Sequence, residues 1–151
     1  MVKNTGRHAN KDPAHIPQEA VQVLIGSLLG DGGLYRLGHS RGARFQEGKS
    51  FAQAGYFDWK AGAIKCFTPK IVERRVTSSF NISLQRHIWT RNCPFLESMR
   101  CRWYVPATNG KQSGPSSRNR KVLSPQDISM GDETALAVWF MDDGCYIKTH
   151  G

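Results

Sequence analysis

The sequence predicts an α+β fold: one αββαββα unit with antiparallel strands, followed by the first helix of a second such unit. Three observations predict it. Apolar residues recur at helical spacing in several segments, and between them lie short segments that alternate apolar and polar with period two. Ser78-Ser79 separates two of these strand-like segments and marks a hairpin. An apolar run ending in acid-Gly occurs twice, as Leu24-Ile25-Gly26-Ser27-Leu28-Leu29-Gly30-Asp31-Gly32 and as Leu136-Ala137-Val138-Trp139-Phe140-Met141-Asp142-Asp143-Gly144.

The elements follow in chain order. Residues 1–15 are polar and basic, with Lys3, Arg7, His8, Lys11 and His15, and are expected to form a loosely held arm. Pro17 suits a first helical turn. Val21, Leu24, Ile25, Leu28 and Leu29 then fall on one helical face, and Gly32-Gly33 ends the helix. Strands are expected at about 34–38 and 43–49. A second helix is expected at 51–67 from the spacing of Phe57, Ala61, Ile64 and Phe67, closed by Pro69. Segments 71–77 and 80–90 form the hairpin, with Ile82 and Leu84 alternating with Ser83, Gln85 and His87. Pro94 opens a third helix that runs to about Tyr104. The Pro/Gly/Ser/Asn-rich stretch that follows reads as a linker. Ser124-Pro125 and Asp132-Glu133 open the helix that carries the second motif. The resulting division is 1–15 arm, 16–105 first repeat, 106–123 linker and 124–151 the start of a second repeat, incomplete in this chain.

Charge narrows the function. Of 151 residues, 21 are Lys or Arg and 12 are Asp or Glu, and all but one of the cations fall before residue 126. A basic body of this kind suits a polyanion, with nucleic acid ahead of a membrane surface. No apolar run approaches the ~20 residues that span a bilayer. Cys66, Cys93, Cys101 and Cys145 form no C-x-x-C pair, which argues against a zinc site. Reduced thiols in an intracellular compartment are expected, either organellar or prokaryotic.

The chemistry lies in the acid-ended helices. Gly26 and Gly30 are one turn apart, and glycine in a helix interior costs about 1 kcal/mol relative to alanine. Their shared face lacks side chains and lets a partner helix approach. Ala135–Met141 are apolar all round, which predicts a helix buried on every side, with Val138 against the glycine face. Asp31 and Asp143 then emerge together at helix C-termini, where the dipole and each other's charge oppose them. One such acid would read as a polar cap before a glycine turn. Two in a basic protein point to a divalent cation with oxygen ligands and to phosphodiester hydrolysis.

These motifs resemble those of the LAGLIDADG homing endonucleases, in particular the two-repeat branch. Ala43-Arg44-Phe45, Tyr56-Phe57-Asp58-Trp59-Lys60 and Trp103-Tyr104-Val105-Pro106 add to the resemblance, which spans about residues 20–150. It implies a saddle-shaped sheet in the major groove of double-stranded DNA. It also implies Mg²⁺ or Mn²⁺ held by Asp31 and Asp143, with Asp142 a less critical neighbour. Lys49 matches the catalytic polar position at the end of the second strand. A second basic residue is implied near Arg86–Arg91. Arg44, Gln46, Ser83, Gln85 and His87 become base-reading candidates, and Arg36, Arg41, Arg74 and Arg75 phosphate contacts. A full-length protein would be a monomer with two pseudo-symmetric halves. The rival readings are a maturase assisting the splicing of intron RNA and a non-catalytic DNA-binding remnant. Retention of both unfavourable acids argues against the remnant.

Overall fold

The computed structural model describes residues 11–38, 40–77, 82–106 and 119–143. Helix α1 (Gln18–Leu29) leads into β1 (Gly33–Arg36) and β2 (Ala43–Ser50). Then come α2 (Ala54–Ala63), β3 (Lys70–Thr77), β4 (Ile82–Trp89) and α3 (Pro94–Trp103). Strands β5 (Tyr104–Pro106) and β6 (Asn119–Lys121) follow, and α4 (Pro125–Ser129) and α5 (Glu133–Asp143) complete the described chain. The αββαββα order is the expected one. The hairpin turn at Ser78-Ser79, residues 1–10, Gly144 and Cys145 lie outside the described residues.

The first four strands form one antiparallel sheet in the order β1-β2-β4-β3. Strand β2 shows why one face is covered: along Ala43–Lys49 every second residue is buried and those between are half-exposed. Ala43 and Phe45 of β2, Leu34 of β1 and Ile88 of β4 point to the helical side. There they join Phe57, Ile64, Phe67, Leu96, Met99 and Trp103 in a single core with the buried stripe of α1. No helix among the described residues is long and apolar enough to cross a membrane.

Several local expectations are corrected. The helix expected over 51–67 is cut into a 3₁₀ turn at Phe51–Gln53, α2, and a second 3₁₀ turn at Lys65–Phe67. The chain leaves α-helical geometry at Ile64 and reaches the left-handed region at Thr68 (φ 51°), so the turn toward β3 is made just before Pro69. Part of the expected linker is structured, because β6 pairs antiparallel with β5. The fourth helix is two helices. Ser124 caps α4, and Asp132 caps α5 by accepting the amides of Thr134 (2.8 Å) and Ala135 (3.2 Å). The turn between them is held to α1 by Gln22, whose fully buried amide donates to the Met130 carbonyl and accepts from the Asp132 N–H, both at 2.9 Å. Helix α5 is not buried all round: only Ala135 and Val138 are, while Leu136, Trp139, Phe140 and Met141 are exposed. The arm is docked at its described end, where the Asp12 carboxylate accepts the Phe95 amide at 2.6 Å.

Asp127 pins α4 to the first unit. Its buried carboxylate accepts from Trp103 Nε1 at 2.8 Å and from both arms of Arg102 at 2.8 and 3.0 Å. Burial works to raise its pKa, but the bonds from Arg102, Ser124 and Trp103 outweigh it and hold the pKa below the usual carboxylate value. A carboxylate with a lowered folded pKa stabilises the protein above its unfolded value and loses that contribution as pH falls through the folded value. Asp127→Asn is therefore expected to cost about 2 kcal/mol at neutral pH and to flatten the acid limb of stability. Urea midpoints between about pH 7 and pH 2 check this. Equal acid limbs in both proteins would remove Asp127 from the account.

Candidate active site and nucleic-acid face

The site is built where α1 and α5 cross. A β-carbon on Gly26 would strike the Ala135 carbonyl oxygen and lie 2.7 Å from Val138 Cβ; one on Gly30 would lie 2.6 Å from Asp142 Cβ. The two backbones approach this closely only because both positions lack side chains. Asp31 follows the Gly30 cap of α1 with its side chain 55% exposed, and Asp143 is the exposed last residue of α5.

Beneath the acids runs a chain of alternating charge. Lys49, on the helical side of β2, donates to Asp31 Oδ2 at 2.7 Å and lies 3.3 Å from Asp142 Oδ1. Lys60, fully buried on α2, donates to both oxygens of Asp142 at 2.9 Å and to Glu47 Oε1 and Oε2 at 2.8 and 2.9 Å. The Tyr56 hydroxyl also donates to Asp142 Oδ1, at 3.1 Å. The order Asp31, Lys49, Asp142, Lys60, Glu47 alternates negative and positive. Burial raises the pKa of Glu47 more than Lys60 and Lys49 lower it, and Asp142 adds to the rise. Burial alone would lower Lys49, but the Asp31 hydrogen bond and the charges of Asp142 and Glu47 hold it above its ordinary value. Burial and Asp142 push the Tyr56 hydroxyl far upward, so it stays a donor.

Lys121, which composition places in a linker, sits at the helix ends. Its Nζ donates to the carbonyls of Gly30 (3.0 Å) and Gly32 (2.8 Å), on either side of Asp31. Burial lowers its pKa against the opposing pull of Asp143 first and then Asp31. Its hydrogen bonds among the described residues go to these two backbone carbonyls. Asp142, expected to be the lesser neighbour, is the buried anchor of the crossing.

The donor set at this spot is hard oxygen: two exposed carboxylates and two carbonyls already facing a cation. No group of three or more His, Cys, Asp or Glu among the described residues makes a metal cage. Two carboxylates with open sides suit Mg²⁺, which keeps waters and binds substrate phosphate, better than an ion needing an all-protein shell.

The opposite face of the sheet carries the base-reading candidates. Strand alternation and register place Arg44, Gln46, Ser83, Gln85 and His87 on it, together with Arg74. Gly48 makes room for His87: a β-carbon there would lie 2.7 Å from His87 Cε1. Burial, then Arg74, lower the pKa of His87, which favours the neutral ring. Trp89, absent from the sequence-based candidates, has two guanidinium groups within cation–π reach, Arg74 at 4.6 Å and Arg44 at 5.2 Å from its ring centre. Arg36 and Arg75 fall on the helical side. Arg36 donates to the Ser40 carbonyl and lies 3.6 Å from Glu97, and Arg75 is opposite Leu84. Arg41 is exposed in the β1–β2 loop. Of the residues near the second implied basic position, Arg86 is opposite Lys49 in the ladder and pairs with Asp58 at 2.9 Å.

Comparison with known proteins gives the following. Residues 21–151 match the model of a family described as the LAGLIDADG DNA endonuclease family. Protein RecA of Mycobacterium shimoidei is 30% identical over 145 residues, 95% of this chain and 30% of that one. Protein RecA of Mycolicibacterium fallax is 29% identical over 132 residues, 87% of this chain and 27% of that one. A solved structure of the homing endonuclease I-WcaI bound to its DNA recognition sequence superposes with a TM-score of 0.66 at 18% identity, over 90% of this chain and 56% of that one. The chain thus spans less than a third of these curated relatives and just over half of the solved one.

Proposed function

The chain belongs to the LAGLIDADG DNA endonuclease family, and from that premise we propose that it serves a site-specific double-strand endonuclease whose Asp31 and Asp143 hold Mg²⁺ or Mn²⁺. One observation carries the reading: the glycine-lined crossing of α1 and α5 sets Gly30 directly against Asp142, so the two helix ends that bear Asp31 and Asp143 lie side by side. The repeat division at 16–105 and 124–151 belongs to the same proposal, with one acid drawn from each part. The RecA alignments, confined to under a third of those chains, support an endonuclease segment carried within a longer host polypeptide, as in the intein-associated form.

Each residue has a task. A divalent cation bound by Asp31 and Asp143 would supply Lewis-acid stabilisation of phosphate charge and a more acidic water. Lys49 fixes the Asp31 carboxylate through a 2.7 Å bond whose donor is itself buried. Lys121 places a second positive charge beside the reacting phosphate, in a site where burial strengthens its field. Arg44, Gln46, Gln85 and His87 read base edges from the opposite face of the sheet, and Arg41 and Arg74 meet phosphates.

The test uses a randomised duplex library. Cleavage is expected with Mg²⁺ and is expected to stop when the metal is chelated, while the protein–DNA complex persists in a gel-shift assay. Cutting that continues undiminished under chelation would overturn the metal-dependent reading.

A further inference from the structure

At the far end of the sheet from Asp31 lies a cleft of about 540 Å³, between the start of β2, the end of β4 and the start of β3. Four cations line it: Lys11, Arg44, Lys70 and Arg91. The one carboxylate on its wall, Asp12, has an oxygen committed to the Phe95 amide. Lys11, Lys70 and Arg91 form no ion pair among the described residues. Trp89 and Asn92 complete the wall, and Trp89 Nε1, Arg44 Nε and Asn92 Oδ1 are buried without a hydrogen-bond partner among the described residues. Buried polar atoms are normally paired. Two unpaired donors and four cations, set against a single carboxylate, describe a site suited to an oxyanion.

We propose that this cleft clamps a backbone phosphate of duplex DNA away from the cut, an assignment that rests on the DNA-binding reading above. The face identifies the occupant. Arg44 and Trp89 belong at once to the cleft and to the base-reading surface, so a duplex on that surface runs past the opening. Arg44 and Lys49 are five residues apart on β2, roughly 17 Å at 3.3–3.4 Å per residue. That span separates the clamp from the acid-bearing end of the sheet. Trp89 stiffens the clamp through cation–π contacts with the guanidinium groups of Arg44 and Arg74.

The test compares the wild-type chain with the double variant Lys70→Ala/Arg91→Ala, both shown folded by circular dichroism. Duplex affinity is expected to fall roughly tenfold at physiological salt, equally for cleavable and scrambled duplexes. The slope of log affinity against log salt is expected to flatten by about 0.9, one phosphate's worth. Arg91→Lys, which keeps the charge, is expected to retain the wild-type slope. An unchanged slope in the double variant, with the wild type binding normally, overturns the clamp. A wild type that binds no duplex overturns the DNA-binding reading beneath it. A second arm follows the Trp89 indole N–H resonance, assigned with Trp89→Phe. It is expected to shift on adding duplex and to stay in place with inorganic phosphate alone. Saturation by inorganic phosphate without a response to duplex would make the cleft a free-phosphate site and overturn the proposal.

Discussion

Asp31→Asn is expected to lower double-strand cleavage by roughly 10²–10³-fold or more, the scale seen when one group stabilising transition-state charge is removed, while duplex affinity stays within about twofold. The geometry separates the two effects. Asp31 belongs to the helix crossing, on the helical side of the sheet, and the base-reading residues project from the other side. Asparagine keeps the shape and still accepts the Lys49 hydrogen bond through its remaining oxygen. Because the Asp31 side chain is 55% exposed, loss of its ion pair costs little stability, within about 1 kcal/mol. Single-turnover cleavage and gel-shift titration of one preparation measure both quantities. A variant that cuts at the wild-type rate removes Asp31 from the chemistry; one that also loses DNA binding makes the residue structural.

Lys60→Ala is expected to be the most destabilising single change, costing about 3–5 kcal/mol. Lys60 is fully buried, and its three ammonium protons are shared among four carboxylate oxygens at 2.8–2.9 Å, two of Asp142 and two of Glu47. Without it, two buried carboxylates face each other with only Lys49 and Tyr56 nearby. The pH dependence identifies the cause. The folded pKa of Glu47 is already raised, so burial of its ionised form becomes costlier as pH climbs through that value, and protonation relieves the cost below it. Removing Lys60 raises that pKa further. The loss is therefore expected to be smaller near about pH 5 than near about pH 8, read from urea midpoints. A cavity alone gives the same loss at both. Replacing Lys60, Glu47 and Asp142 together with apolar residues of similar size is expected to recover much of the stability.

Much of this was legible along the chain. The apolar stripe of α1 and the Gly26–Gly30 spacing gave both the helix and the face it turns to its partner. Alternation along β2 and β4 placed Arg44, Gln46, Gln85 and His87 together. What sequence hides is whatever depends on a distant partner. Lys60 lies on a short helix of weak amphipathicity, where lysine ordinarily means solvent; only Glu47, on a strand, and Asp142, on a helix from the far end of the described chain, explain its burial. Lys121 is in a three-residue strand whose pairing with Tyr104 crosses a long connection, so local propensity gives no sign of it. Helix α5 misled in the other direction. Its run of apolar residues implied burial on every side, yet Leu136, Trp139, Phe140 and Met141 are exposed, because periodicity records a residue's preference and not the number of neighbours within reach. Asp142 reaches Lys60 for a simple geometric reason: it projects into the gap left by Gly30.

The crossing at Gly26 and Gly30 has a consequence for precision. Where side chains interdigitate between helices, the gap varies as rotamers exchange. Here Val138 and Asp142 of α5 seat against the bare backbone of α1 at Gly26 and Gly30, so only one of the two surfaces has rotamers to exchange. The crossing therefore acts as a gauge block, holding the two helix ends at a spacing with fewer side-chain arrangements to vary it. On the endonuclease reading proposed above, that gauge would keep the stagger of the cut ends the same from one turnover to the next.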